Sequence, residues 1–600
     1  MPDEKPDEKP GDEPLRPSVP WAVLDPAQAR TGRALPTVYA ADRVLLIGAD
    51  AERYRDALNA RVEPLGWFLE VDRSFGDGGR VVIAPNDGEQ GGEEVVTRLK
   101  IVPLPGIAGI TTPDAFTLVE AVRSEREPDP RVRDRRRRGL DTGDVDTGDV
   151  DTGDVDTGDV DTGDLDDGGQ PDAEVGGDAS VRADADLPRL ALDHAVFLTT
   201  PVPSAPATGP TGSFSANPKG FYGTNGLGFY GTNPKGFYGT NGLASPADSY
   251  VLPGTGGRSP VAVVLPRPSR GPDPKRGRRP VVAIVDSGVG DHPWLRTGVK
   301  DITPLIISTL SAEADPGQYE PFDGVLDSVA GHGTFIAGIV RQVAPRADIL
   351  SWRVVAGDGA VAESDLYDAL HTLAVEIENG TYAVDVLSLS LGYYHERPWD
   401  DDGTVDLLLR PAIEAFSRAG VVVVMSAGNE STNRELSPAR FAKDPAPGAP
   451  WFSVGARNPN GTLALFSNFG DWVTTWMTGA AMVSATPPFR GGLEPVARVD
   501  EEDDCGGVVK GRHRETLDPD DYRGHFAIWS GTSFAAPHLA ARLVRAFDDA
   551  PEAWDAGFGT ERAAKVWASL QGHLMHDPAD CEEGLCPGPE ADPGVDRGDA

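Results

Sequence analysis

The chain has 600 residues, 39% of them hydrophobic, and a formal net charge of −39, a length that allows roughly two to four domains. That acidity argues against nucleic acid as a main partner, since phosphate binding needs clustered cations, and no apolar run reaches the ~18–20 residues of a membrane span. Three cysteines, Cys505, Cys581 and Cys586, are too few for a disulfide framework.

Residues 1–36 are acidic and proline-rich and read as a disordered leader. They lack the basic and apolar regions of a secretory signal, so the expected compartment is the cytoplasm, with export by a route not displayed in the sequence as the alternative. From Val38 the texture changes. RVLLIG (43–48) predicts a buried strand and AERYRDALNARVEPLG a helix. WFLEV and RVVIAP predict strands, with TRLKIVPLP as a further candidate. A second helix begins at Thr112-Pro113-Asp114, and a last strand, ALDHAVFLTT, falls at 191–200. The order β-α-β-β-α-β suggests a small α+β, ferredoxin-like unit over 37–127 plus 188–200.

The stretch 128–187 interrupts that unit. It opens with RVRDRRRR (131–138) and continues as five pentads, DTGDV four times and DTGDL once, over 141–165. Twelve aspartates and no cation lie in 141–167, so repulsion and glycine predict an extended spacer, with loose calcium binding as the lesser reading. Asp-Thr-Gly is also the aspartic-protease signature, but that chemistry needs two triplets on separate apolar strands sharing a proton. Residues 201–279 form a second, Pro/Gly-rich linker in which GFYGTN recurs at 220–225, 228–233 and 236–241. The repeat reads either as an expansion without function or as an extended recognition element that docks in a groove, the chain's own or a partner's.

From Pro280 short apolar runs alternate with amphipathic ones. VVAIVDSG is a strand ending in Asp286, ADILSWRVV another, and Leu366, Leu370, Leu373 and Ile377 mark a helix. VDVLSLSLG, VDLLLRPAIEAFSRAG and VVVVMSAGN read as strand, helix and strand. The pattern predicts an α/β fold with a doubly wound, mostly parallel sheet, whose sites collect beyond the carboxyl ends of the strands. Residues 576–600 are an acidic tail in which Cys581 and Cys586 read as inert.

Four motifs in this region, VVAIVDSGV, GHGTFIAGIV, SAGN and GTSFAAPH, resemble in type and order those of the subtilisin-like serine peptidases, over about 280–575. The resemblance implies a subtilisin-like fold and a serine endopeptidase with catalytic Asp286, His332 and Ser533 and an oxyanion hole at Asn429. It also implies a substrate groove edged by Ser390, Leu391 and Gly392 on one side and Gly357 and Gly359 on the other. No cofactor is required for that chemistry; structural calcium is compatible with the family, with no ligands assignable. The expected partners are a peptide or protein substrate and, at the GFYGTN linker, the chain itself. LALFSNFG (463–470) matches a structural strand. Two departures stand out: Ala480-Ala481-Met482 where Ala-Pro-Gly is common, and a long insertion between Met482 and Tyr522 that suggests a lid. The layout of the N-terminal unit is similar to the propeptides of this family, which implies autoinhibition or self-processing. The competing reading is a partner-specific processing or scaffold protein in which the GFYGTN repeats act as recognition elements.

Overall fold

A computed structural model describes residues 19–29, 34–48, 50–83, 94–104, 111–126, 188–198, 258–273, 278–302, 326, 329–355, 359–400, 404–491, 495, 497–502, 505 and 507–549. The leader, the DTGDV and GFYGTN repeats, Gly357, Cys581 and Cys586 lie outside these residues.

The N-terminal unit is built from β1 (Trp21–Val23), β2 (Val38–Ile47), α1 (Ala51–Val62), β3 (Trp67–Val71), β4 (Arg80–Ile83), β5 (Glu94–Pro103), α2 (Ala115–Arg126) and β6 (Arg189–Leu198). The strands run in the order β6-β2-β5-β3, with each neighbouring pair antiparallel. The predicted RVVIAP strand is the short β4, which pairs with β5 beyond β3, and with TRLKIVPLP also a strand, in β5, the order is β-α-β-β-β-α-β, one strand more than expected. Period-2 alternation assigns the two faces of this sheet. Val44 and Leu46 pack with Leu58, Phe116 and Val119 of the helices. Leu45 and Ile47 turn the other way and join a core shared with Tyr367, Ala374 and Leu366 of the following unit. The two units therefore have one continuous interior.

After β7 (Arg258–Pro260) the chain enters the parallel layer: β8 (Val281–Asp286), β9 (Val299–Ile302), α3 (His332–Val343), β10 (Asp348–Arg353), β11 (Ala360–Ala362) and α4 (Glu363–Glu378). It continues with β12 (Val386–Leu389), β13 (Leu391–Gly392), α5 (Leu409–Arg418), β14 (Val422–Ser426), β15 (Trp451–Arg457) and β16 (Thr475–Thr478). Seven strands lie in the order β16-β15-β14-β12-β8-β10-β9, all parallel. Parallel strands covered on both faces need apolar residues at both parities. In β8, Ala283 and Val285 face the core carrying α4 and α5, while Val282 and Ile284 face the one carrying α3. The predicted Leu366, Leu370 and Leu373 are buried on α4, with Ile377 packed at the margin.

The insertion after β17 (Met482–Ala485) holds an antiparallel ribbon, β18 (Arg498–Glu502) and β19 (Val508–Glu515), before β20 (Phe526–Trp529) and α6 (Thr532–Asp549). Among the described residues the ribbon pairs only with itself, and at its base Pro487 and Phe489 lie against Gly331. LALFSNFG is not a strand. It makes one bridge, Leu463 to Arg457, and otherwise turns. Leu463 and Phe469 are exposed while Ala464 and Phe466 are buried. The apolar run suggested pairing, but its buried end is held by the side chain of Asn468 rather than by a ladder. No described helix is long and apolar enough to cross a membrane.

Candidate active site

Three parallel strands deliver the predicted residues at their carboxyl ends. Asp286 closes β8, Ser390 follows β12, and Asn429 lies three residues beyond β14. Asp286 Oδ1 accepts the Ser287 N–H at 2.7 Å and lies 2.7 Å from His332 Nδ1. A carboxylate on Nδ1 keeps the proton there and leaves Nε2 basic. That second nitrogen is buried and has no hydrogen-bond partner among the described residues.

Glycine makes this approach possible. His332 is the first residue of α3, after Gly331 with φ of 81°. At Gly333 a Cβ would come within 2.2 Å of the Gly288 carbonyl oxygen, so only a bare Cα lets α3 close on the loop after β8. The Gly333 N–H then donates to Ser287 Oγ at 3.0 Å.

Ser533 is the second residue of α6 and fully buried, in a first turn whose backbone N–H groups have no intrahelical acceptor. Its neighbours fix its place. Thr532 donates to Asn429 Oδ1 from its backbone N–H at 2.8 Å and from Oγ1 at 3.0 Å. The Phe534 ring lies 5.4 Å from the His332 ring. Ser533 thus lies in the chain between a residue bonded to Asn429 and one whose ring faces the imidazole. Pro537 lies inside α6 and cannot donate to the carbonyl four residues earlier, that of Ser533. Ser390 Oγ supplies the missing donor at 3.0 Å.

The loop carrying Asn429 is braced by residues that sequence reasoning missed. Asn468 donates to the Ala427 carbonyl at 2.8 Å and accepts from Glu430 and Thr432 N–H groups. Glu430 accepts the Asn429 N–H at 2.9 Å and the Tyr394 hydroxyl at 2.7 Å. The signal was present as an Asn inside LALFSNFG, hidden by its apolar neighbours.

Of the predicted groove residues, Leu391, Gly392 and Gly359 hold a strand of the chain itself. β6 runs antiparallel to β13 on one side, pairing Leu198 with Leu391 and Phe197 with Gly392. On the other side it runs antiparallel to β11, and the Leu198 N–H donates to the Gly359 carbonyl at 3.0 Å. Upstream, the contact is polar and buried. Asp193 accepts the Ser364 N–H at 3.0 Å and its hydroxyl at 2.7 Å, capping α4, whose own N-cap residue Ala362 makes no side-chain bond. Arg98 donates to Ser364 and Asp365.

His194 lies 2.9 Å from Glu363 through Nδ1 and 2.9 Å from Glu396 through Nε2. Burial alone would push it down, but those two bonds and the adjacent charges carry its pKa to about 10. Among the described residues, His194, His395 and Glu396 are the one trio whose ligating atoms converge, within 4.8 Å. His395 Nδ1 already accepts the Arg397 N–H at 3.0 Å, and two imidazoles do not suit calcium, which takes oxygen ligands.

Several known proteases are similar to this chain. Subtilisin BL of Lederbergia lenta is 27% identical over 217 residues, covering 34% of this chain and 66% of that protein. The thermophilic serine proteinase of Bacillus sp. (strain AK1) is 26% identical over 270 residues, covering 43% and 50%. The cuticle-degrading serine protease of Arthrobotrys oligospora is 29% identical over 160 residues, covering 26% and 34%. The chain thus spans about a third to two thirds of the length of these curated relatives. A solved lanthipeptide protease aligns over 50% of this chain and 81% of its own, at 18% identity and a TM-score of 0.35. The model of the subtilase family matches residues 277–582, just over half of the chain, and the protein belongs to that family.

Proposed function

We propose that the protein is a serine endopeptidase held in check by its own N-terminal unit. In this reading Ser533 Oγ attacks the peptide carbonyl and His332 Nε2 takes its proton, later delivering it to the leaving amine. Asp286 holds the imidazole in the productive tautomer and stabilises the imidazolium. The Asn429 side-chain amide and the Ser533 N–H bind the oxyanion. The observation that carries the reading is β6, seated as a third strand between β11 and β13, the latter directly after Ser390, whose hydroxyl bonds the Ser533 carbonyl, the way an extended peptide adds to a sheet edge.

The N-terminal unit then acts as a ferredoxin-like pro- or regulatory domain, a role supported by its strand order β6-β2-β5-β3. With Leu198 the last described residue of the strand between β11 and β13, this reading puts self-cleavage at or soon after it, towards the start of the 201–279 linker rather than at the GFYGTN repeats. Replacing Ser533 by Ala tests the chemistry: peptide hydrolysis and fluorophosphonate labelling are both expected to vanish. Labelling at the wild-type rate would exclude Ser533 as the nucleophile.

A further inference from the structure

We infer that Glu363 and Glu396 form a cation-selecting subsite at the far end of the substrate groove, reading a His, Lys or Arg side chain four residues ahead of the position held by Leu198. The inference rests on the peptidase reading and adds a substrate class to it: peptides with a basic residue well upstream of the cut.

Strand geometry sets the spacing. Residues 194, 196 and 198 share one face of β6. Val196 and Leu198 on that face enter the core with Leu391, Val361 and Leu366. His194 continues the same row, and in place of an apolar pocket it meets two carboxylates at 2.9 Å each. Ionised carboxylates only accept hydrogen bonds, so both ring nitrogens must donate and the imidazole is held as a cation. Its ring stacks on Tyr393 at 4.5 Å and 22°, and the Tyr393 hydroxyl donates to Glu363 at 3.1 Å. Two carboxylates against an aromatic face make a site for a cationic side chain.

The pocket belongs to the peptidase body and outlasts its first occupant. Glu363 opens α4, and Tyr393 and Glu396 follow β13. The cations now bonded to the pair, His194 and Arg123 (3.5 Å from Glu396), both sit on the N-terminal unit. His395, the other imidazole in contact, is kept neutral, pushed down to about 3 chiefly by burial. Once β6 departs, Glu363 and Glu396 lose the two cations bonded to them and keep only the more distant Arg434 guanidinium beside Glu396, and burying charge with so little to offset it is costly. A substrate strand in the same register restores the balance only if it carries a cation at that place.

The test uses the full-length protein, wild type and the Glu363→Gln/Glu396→Gln double variant, with peptides matching residues 190–203 that carry His, Lys, Gln or Leu at position 194. Within the wild type, kcat/KM for the His and Lys peptides is expected to exceed that for Gln by tenfold or more, and in the double variant this ratio falls below about twofold. Equal cleavage of all four peptides, or a ratio that survives the double variant, would overturn the subsite. A second measurement needs no catalysis. In full-length Ser533→Ala protein, hydrogen-exchange protection over residues 189–198 drops about tenfold with His194→Gln and is retained with His194→Lys. Unchanged protection in His194→Gln also counts against the subsite. Failure of every peptide to be cut, with the exchange result as expected, removes the peptidase reading and leaves the cation site standing.

Discussion

Gly333→Ala places one methyl group where the account is least tolerant of it. The new Cβ would sit 2.2 Å from the Gly288 carbonyl oxygen and 3.1 Å from the Gly288 carbonyl carbon and nitrogen. Those atoms are backbone, so no rotamer change relieves the clash. Reaching ordinary van der Waals contact requires α3 to withdraw by about 1 Å. That retreat carries His332 with it and stretches the 2.7 Å contact to Asp286 and the 3.0 Å bond from Gly333 to Ser287 beyond good hydrogen-bonding distance. Overpacking of this kind costs ~1–3 kcal/mol, and a displacement of about 1 Å at a reacting group costs on the order of 100-fold in rate. The expected result is a fall of about 100-fold or more in kcat/KM on a peptide substrate, with a Tm lowered by several degrees. Gly524→Ala is the control: a Cβ there meets nothing within 4 Å, and its effect should stay within about 0.5 kcal/mol. Wild-type activity and Tm in Gly333→Ala would refute the claim that glycine sets the Asp286–His332 geometry.

Two further outcomes follow from the contact between the units. Arg98, 2% exposed, spans from β5 to Ser364 and Asp365, so Arg98→Ala should lower stability by about 3 kcal/mol in denaturant titration, and a loss under 1 kcal/mol would contradict its bridging role. His194 makes docking depend on pH. Its folded pKa of about 10 stands above its ordinary 6.5, so the stabilisation it gives is fully present below pH 6.5 and is lost as pH rises towards 10. At ~1.4 kcal/mol per unit, the stability gap between Ser533→Ala protein with and without His194→Gln should shrink steadily across that range. The charged and titratable groups around His194 are Glu363, Glu396, His395 and Tyr393, with Asp406 acting through space and Arg123 behind Glu396; a gap constant from pH 6.5 to 10 would show that none of the clamp resides in its charge.

The sequence made the parallel layer legible because each of its elements is encoded locally. The apolar run ending in Asp286, the Leu366-Leu370-Leu373 spacing and the small-residue turn before Ser533 each state their own conformation. Leu391, Gly392 and Gly359, named through motif resemblance, are residues against which β6 pairs. What filled the groove was not legible. The pairing of Phe197 with Gly392 joins residues nearly two hundred positions apart, and neither partner's neighbourhood signals the other. The same holds for His194, which in sequence is one polar residue in an apolar strand; only the fold brings Glu363 and Glu396 to its two nitrogens. LALFSNFG misled for the opposite reason, since its local texture is strand-like while Asn468 side-chain bonds dictate a turn. RVVIAP foretold β4; the strand left out of the expected order is the one in TRLKIVPLP, which becomes β5 and pairs with β2, β3 and β4, partners that its own sequence does not announce.

Intact-mass measurement of the full-length protein after incubation, beside its Ser533→Ala counterpart, tests most directly whether β6 lies in the groove of a working peptidase. The wild type should resolve into two fragments that part within a few residues after Leu198, while the Ser533→Ala protein stays whole. Identical masses in the two samples, or a cut at the GFYGTN repeats with the bond after Leu198 intact, would contradict the account.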